Sequence, residues 1–247
     1  MAHAGLGVGR FRPGLLPTAL TLLLLVILGK LGFWQLDRAQ QKESLREQVV
    51  TKQNLEPLLS VPVESENSSA LHWRRASLKG VFKADIIFLL DNQVYQGRAG
   101  YFVYSVLEID GNKNLLVNRG WIKANPDRKI VSIPNLEGST EALSGIIKAP
   151  PATGWLLAEG TDEILDKGIV RLQHIDPVAL NDHYQLNIAP YIFRLDEDSP
   201  LGFTRDWTEP GFGKDKHLGY AFQWFAMAIA LLIIYIVVNT DRTKNDK

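Results

Sequence analysis

Cysteine is absent from this chain of 247 residues. That absence excludes disulfides, thiolate metal sites, thiol nucleophiles and covalent CxxCH haem attachment, and it leaves the redox compartment open. An excess of one charge is lacking as well. The 27 basic side chains are matched by 27 acidic ones, and no long basic run is present to grip a phosphate backbone, so nothing argues for nucleic acid. No GxSxG elbow occurs, which leaves only isolated Ser or Thr as hydroxyl nucleophiles. HExxH and HxxxH patterns are missing around His174 and His183, which read as surface or hydrogen-bonded histidines rather than zinc ligands. Gly5, Gly7 and Gly9 imitate a dinucleotide loop. No strand precedes them and no suitable helix follows, so they read as a flexible tail. Internal repeats and low-complexity tracts are lacking, and an enzyme with its own catalytic residues is not supported.

Long apolar runs, by contrast, are present. Pro13 to Gly29 carries no charge, and after Lys30 the apolar run resumes as far as Leu36. Residues 15–36 therefore match the roughly 20 residues that a bilayer-spanning helix needs. The run exceeds the usual signal-peptide core, and LGKLGFWQLDRAQQK offers no small-x-small cleavage site, so an uncleaved signal anchor is expected. A second run, residues 217–239, has no charged side chain after His217. The expected organisation is a tail at 1–14, a transmembrane helix at 15–36, a polar domain at 37–216, a second transmembrane helix at 217–239 and a tail at 240–247, with both tails cytoplasmic. Arg10 and Arg12 against Arg38, Lys42 and Arg46, and Arg242, Lys244 and Lys247 against Lys214 and Lys216, leave the charge bias across the membrane nearly balanced.

The polar domain opens with LDRAQQKESLREQVVTKQ, free of Gly and Pro and with mixed charges at helical spacing, which continues the first span as a helix. Pro57 and Pro62 end it, and VESENSS follows as a loop. From Trp73 onward, seven segments read as strands separated by turn residues: RRASLKGVF, IIFLLDNQ, GYFVYSVLEI, NLLVNRGWI, EALSGIIKA, GIVRLQHI and IAPYIFRLD. Asp110-Gly111-Asn112 predicts a hairpin. DPVALNDHYQ predicts a short helix capped by Asp176, with Pro177 at its first position. The fold class expected is a membrane protein in which a two-helix transmembrane hairpin brackets a mainly antiparallel β (α+β) domain outside the membrane.

Few constellations carry chemistry. Asp196, Glu197 and Asp198 form either a calcium-binding cluster or a solvated turn before Pro200. Arg98, Arg119 and Trp121 form either a recognition surface or part of a β core with glycine bulges. At about 100° per residue, His217, Tyr220, Trp224, Leu231 and Tyr235 share one arc of the second span. That arc reads either as an interfacial anchor of aromatic residues or as an axial haem ligand with aromatic plates beside it.

RPGLLPTALTLLLL…LGFWQLDRAQQK, DNQVYQGRAGYFV, LLVNRGWI and HLGYAFQWFAMA together resemble the surfeit-locus family of cytochrome c oxidase assembly proteins, bacterial branch. The match spans both apolar runs and the domain between them. The resemblance implies a two-span protein of the cell inner membrane with its central domain periplasmic. It also implies a part in building the haem a centre of the oxidase's largest subunit, alongside the haem a synthesis machinery. It carries haem a binding onto His217, the histidine of HxxYAxxW, as iron ligand, with Tyr220 and Trp224 lining the ring. Lys30, Lys214 and Lys216 are candidate propionate partners; snorkelling to the interface is the other reading of Lys30. Asp215 departs from the pattern, because relatives commonly hold Asn two residues before that histidine. The alternative function is a cofactor-free, membrane-anchored scaffold that holds oxidase subunits during assembly.

Overall fold

The structure is a computed structural model that describes residues 10–62, 68–110, 113–126, 133–134, 136, 142–151, 163–166, 168–207 and 213–241. The chain divides into two compact units, residues 1–48 with 208–247, and residues 49–207. The expected tail glycines Gly5, Gly7 and Gly9, most of the VESENSS loop, and Arg242, Lys244 and Lys247 lie outside the described residues.

Two helices dominate the first unit: α1 (Leu15–Gln53), whose last turn passes into the second unit, and α4 (Lys214–Val238). Both are long and apolar enough to cross a membrane. The apolar run and the polar sequence after Leu36 form one continuous helix, because no Gly or Pro interrupts residues 33–53 and every backbone bond can propagate. On α1 the less exposed positions include Thr18, Thr21, Leu25, Leu28, Gly32, Gln35 and Ala39; on α4 they include His217, Ala221, Trp224, Ala228, Leu231 and Tyr235. Steps alternating between three and four residues define the seam of two helices that pack side by side. The pair is antiparallel. The hydroxyls of Thr18 and Tyr235 lie 2.7 Å apart near one end, the Phe225 ring meets Phe33 edge-on at 5.3 Å, and Gln35 meets His217 at the other end.

A short β1 (Arg10–Phe11) precedes α1 and pairs antiparallel with β10 (Thr240–Asp241) just after α4. Arg12 N–H donates to the Asn239 carbonyl at 2.8 Å, and the Phe11 ring meets Tyr235 edge-on. The outer ends of both helices are thus joined through main-chain bonds.

The second unit is built on one sheet of eight strands. In chain order these are β2 (Arg75–Leu78), β3 (Val81–Tyr95), β4 (Arg98–Asp110), β5 (Lys113–Lys123), β6 (Leu143–Lys148), β7 (Glu163–Asp166), β8 (Ile169–Leu172) and β9 (Ile188–Leu195). Two helices join them, α2 (Ser68–Leu71) and α3 (Pro177–Tyr184). The spatial order is β2-β6-β9-β5-β4-β3-β8-β7. Neighbours pair antiparallel except for β5 with β9 and β3 with β8, which run parallel. The mainly antiparallel expectation is met, and each of the seven expected segments contributes a strand. Glu163–Asp166 is an additional edge strand.

Strands β3, β4 and β5 form the central meander. Gln96 and Gly97, both at positive φ, close the two-residue turn between Tyr95 and Arg98. Asp110 pairs with Lys113 in register, as the predicted hairpin requires, while the Gly111-Asn112 tip itself lies outside the described residues. Alternation sends side chains of one strand to opposite faces. Leu115 and Val117 enter one core with Tyr191, Phe193 and Leu195, whereas Leu116 enters a second with Phe88, Val106 and Ile192. With both faces covered, the central strands read as near-continuous apolar runs. The α3 helix lends Leu180 to the second core. Its start is as expected: the Asp176 carboxylate accepts from Val178 N–H at 2.9 Å and from Ala179 N–H at 3.4 Å, with Pro177 at the first position.

Candidate functional site

The start of α4 is set by Gly213, whose φ of +99° lies in the left-handed region where glycine carries no Cβ penalty. Asp215 follows in the first turn, exposed, where a carboxylate meets the positive end of the helix dipole. His217 closes that turn. Its Nδ1 lies 2.7 Å from Oε1 of Gln35 on α1, and Gln35 is 9% exposed.

This hydrogen bond has a chemical consequence. An amide oxygen only accepts, so Nδ1 carries the ring proton and donates it to Gln35. In a neutral ring this leaves the lone pair on Nε2, and the neighbouring helix holds the ring. A hydrogen bond of this kind to the other ring nitrogen is what orients a ligating imidazole and fixes its tautomer. An imidazole held through one nitrogen can offer the other as a donor to a haem iron. Among the described residues no cluster of three or more His, Asp or Glu side chains is arranged to hold a bare metal ion.

Of the residues expected on the His217 arc, Trp224, Leu231 and Tyr235 lie on the seam facing α1. Tyr220 stands at its margin, 52% exposed, because Ala221 occupies the seam position one step after His217. Lys30 is not brought to His217. It is exposed, and it lies five residues before Gln35, about 140° around the helix from the seam. Lys214 is committed to Glu43 of α1, Nζ to Oε2, at 2.8 Å. The hydrogen bond from Lys214, with its charge and that of Arg46, holds the Glu43 carboxyl below the usual range against an opposing desolvation. Lys216 is exposed beside them.

Elsewhere the expected constellations resolve separately. Asp196 is ion-paired with Arg75, Glu197 accepts from Trp207 N–H at 3.2 Å, and Arg205 donates to the carbonyls of Asp196, Glu197 and Ser199. The acidic run is a turn pinned by arginines. His183 lies in the last turn of α3, its ring centre 4.5 Å from that of Tyr184. Arg119 is only 2% exposed; its Nε donates to the Leu201 carbonyl at 2.9 Å, and its guanidinium lies 4.7 Å from the Phe203 ring centre. Burial, then the charge of Arg205, pushes the Arg119 pKa down to about 10. Trp121 is largely buried, its indole N–H donating to the Gln93 carbonyl at 3.0 Å. Arg98 alone of that trio is exposed.

Gln35 and Glu43 are the site residues that the sequence reading missed. For Gln35 part of the signal was available: Thr18, Thr21 and Gln35 are polar side chains at seam spacing within an otherwise apolar lane, which marks the face that meets a partner helix but not the side chain met there.

Comparison with known proteins places the chain in a family. The model of the SURF1 family matches residues 22–229, which include Gln35, Glu43 and His217. A SURF1-like protein of Rickettsia bellii is 25% identical, covering 88% of this chain and 89% of its own length. One from Rickettsia felis is 24% identical over 89% of this chain and 95% of its own. An uncharacterized SURF1-like protein of Mycobacterium tuberculosis is 24% identical over 88% and 80%. With the family match running through both apolar helices and the sheet between them, the chain belongs to the SURF1 family, a family of assembly factors linked to cytochrome oxidase and not of enzymes.

Proposed function

We propose that the protein is a membrane-anchored assembly factor that holds haem a through Nε2 of His217 and aids its placement in the largest subunit of cytochrome c oxidase. In this reading α1 and α4 span the cell inner membrane, residues 37–216 lie on its periplasmic side, and the contacts made are with that subunit and the haem a synthesis machinery. The observation that carries it is the Gln35–His217 hydrogen bond, which leaves one lone-paired imidazole nitrogen in a fixed orientation.

Haem a, when bound, supplies an iron that takes one more nitrogen ligand. This chain's own residues do the rest. Gln35 holds the tautomer and the ring plane. Trp224 packs on the seam below the imidazole, and Tyr220 stands at the lipid-facing margin, where an apolar ring system would find an aromatic neighbour. Lys214, tied to Glu43, fixes the first turn of α4 against α1 and so positions His217.

The test is the absorption spectrum of the detergent-purified protein from cells that make haem a. His217→Ala is expected to abolish the haem spectrum while the protein still inserts, because a methyl group cannot replace the iron–nitrogen bond. Gln35→Leu is expected to weaken retention about 10–100-fold, the usual cost of losing the hydrogen bond that orients a ligating imidazole. His174→Ala and His183→Ala should leave it unchanged. A wild-type protein without haem, or a His217→Ala variant carrying as much as wild type, would replace this reading with the cofactor-free scaffold.

A further inference from the structure

The segment DNQVYQGRAGYFV and residues 123–126, which directly follow LLVNRGWI, meet at one end of the β3-β4-β5 meander, far in sequence from His217, and there they border a cavity of about 340 Å³. Its walls include Asp91, Asn92, Arg98, Lys123, Asn125 and Pro126. The backbone is shaped to make it. Between Leu90↔Phe102 and Gln93↔Gly100 the register shifts, so that Asp91 and Asn92 stand opposite one residue of β4. Asn92 takes φ +60°, a conformation Asn tolerates better than most residues. Such a bulge re-aims side chains and is frequent beside binding sites.

The charges around the cavity are unequal. Asp91 is 5% exposed, and its carboxylate is engaged from behind: Oδ1 accepts from Asn92 N–H at 2.7 Å, and Oδ2 lies 3.9 Å from Arg171 Nε. It is therefore spoken for. Arg98 and Lys123 are exposed, and neither has an ion-pair or hydrogen-bond partner among the described residues. Gly100 pairs with Lys123, and Arg98 stands two residues before Gly100, so both cations project from the same face of adjacent strands. Gly100 brings no side chain between them, and a Cβ there would run into the Trp121 ring and the Ile122 carbonyl. Two exposed cations thus border a small concave space, and among the described residues neither is paired with a carboxylate.

We infer that this cavity is an oxyanion-binding site in which Arg98 and Lys123 hold a carboxylate or phosphate group. An arginine fork and a lysine point charge are complementary ways of grasping such a group. A cavity of this size is at the small end of ligand pockets, which suits a small anion or the charged end of a longer molecule and is too small for a macrocycle. The site is therefore separate from the proposed role of His217 and stands or falls independently of it.

The probes are inorganic phosphate and malonate, titrated separately into the full-length detergent-purified protein at low ionic strength. Thermal midpoints are compared with chloride at matched ionic strength. A saturable rise beyond the chloride response is expected from at least one probe; phosphate alone or malonate alone identifies the source of the group, and both together mean that it is recognised by charge and shape. Arg98→Gln and Lys123→Gln should each weaken the half-saturation point about tenfold, the scale of one lost charge-assisted hydrogen bond. The double variant should respond as to chloride, Arg98→Lys should recover part of the loss, and Lys79→Gln, an exposed cation elsewhere, should behave as wild type. Near-UV circular dichroism without anion checks that each variant is folded. The inference is overturned if neither probe exceeds chloride, or if the double variant responds like wild type.

Discussion

His72 is half-buried beside Trp73, the two rings stacked 4.9 Å apart, while Lys52 Nζ donates to its backbone carbonyl at 3.1 Å. Burial, with the charges of Lys148 and Lys52 behind it, pushes the imidazole down from 6.5 to about 4. The sign of the effect on stability follows. Above pH 6.5 the ring is neutral folded and unfolded; as pH falls from 6.5 towards 4 only the unfolded chain takes up the proton, so stability drains away across that window and levels off below it. The thermal midpoint of the purified protein should fall between pH 6.5 and pH 4, and His72→Gln should flatten that part of the profile; an unchanged slope would show that other groups carry it. Single residues differed in how well the sequence disclosed them. His217 stood out because an ionisable ring at the mouth of an apolar run is unusual. Gln35 did not, since its meaning depends on the helix it meets almost two hundred residues later. Arg98, Arg119 and Trp121 looked alike in the sequence, and burial separates them: Arg119 and Trp121 tie strands to loops, and Arg98 faces solvent.

The α1–α4 pair depends on close approach at one glycine. A Cβ on Gly32 would lie 2.6 Å from the Phe225 ring, well inside contact distance. Gly32→Ala is expected to destabilise the pair by roughly 1–3 kcal/mol, typical of an overpacked contact, read as a lower thermal midpoint in detergent. Combining it with Phe225→Leu should restore much of the loss, and a double variant as weak as the single would place the strain elsewhere. Helices and strands were largely legible because their signals are periodic. The apolar runs gave the membrane helices, alternation and turn residues gave the central strands, and Asp176-Pro177 gave α3. The turn between β3 and β4 was hidden because Gln96-Gly97 lacks the Asn or Asp usual in that position. Strand β7 was hidden because four residues, Glu163 to Asp166, offer too short a pattern to read. The continuity of β3 through Ala84 and Asp85 escaped notice because neither residue favours a strand and both lie where the β3–β4 register shifts.

At the scale of the whole chain, the antiparallel helices bring residues 10–12 and 239–241 to the same end of the first unit. Reporter fusions after Glu64 and after Lys247 should therefore behave oppositely in cells, with the latter cytoplasmic in the proposed orientation; two reporters on one side would break the two-span arrangement. The small β1–β10 pair that joins those ends has a consequence for the order of synthesis. Its strands are more than two hundred residues apart, so Arg10 emerges from the ribosome long before Asp241 exists to meet it. Contacts this distant close late, after the entropy of the intervening chain has been overcome by everything else that folds. A truncated product lacking α4 would carry an unsatisfied strand next to α1, an exposed edge of the kind that quality-control proteases and stray β partners find first. The pair thus marks a molecule in which α4 has been made and has met α1.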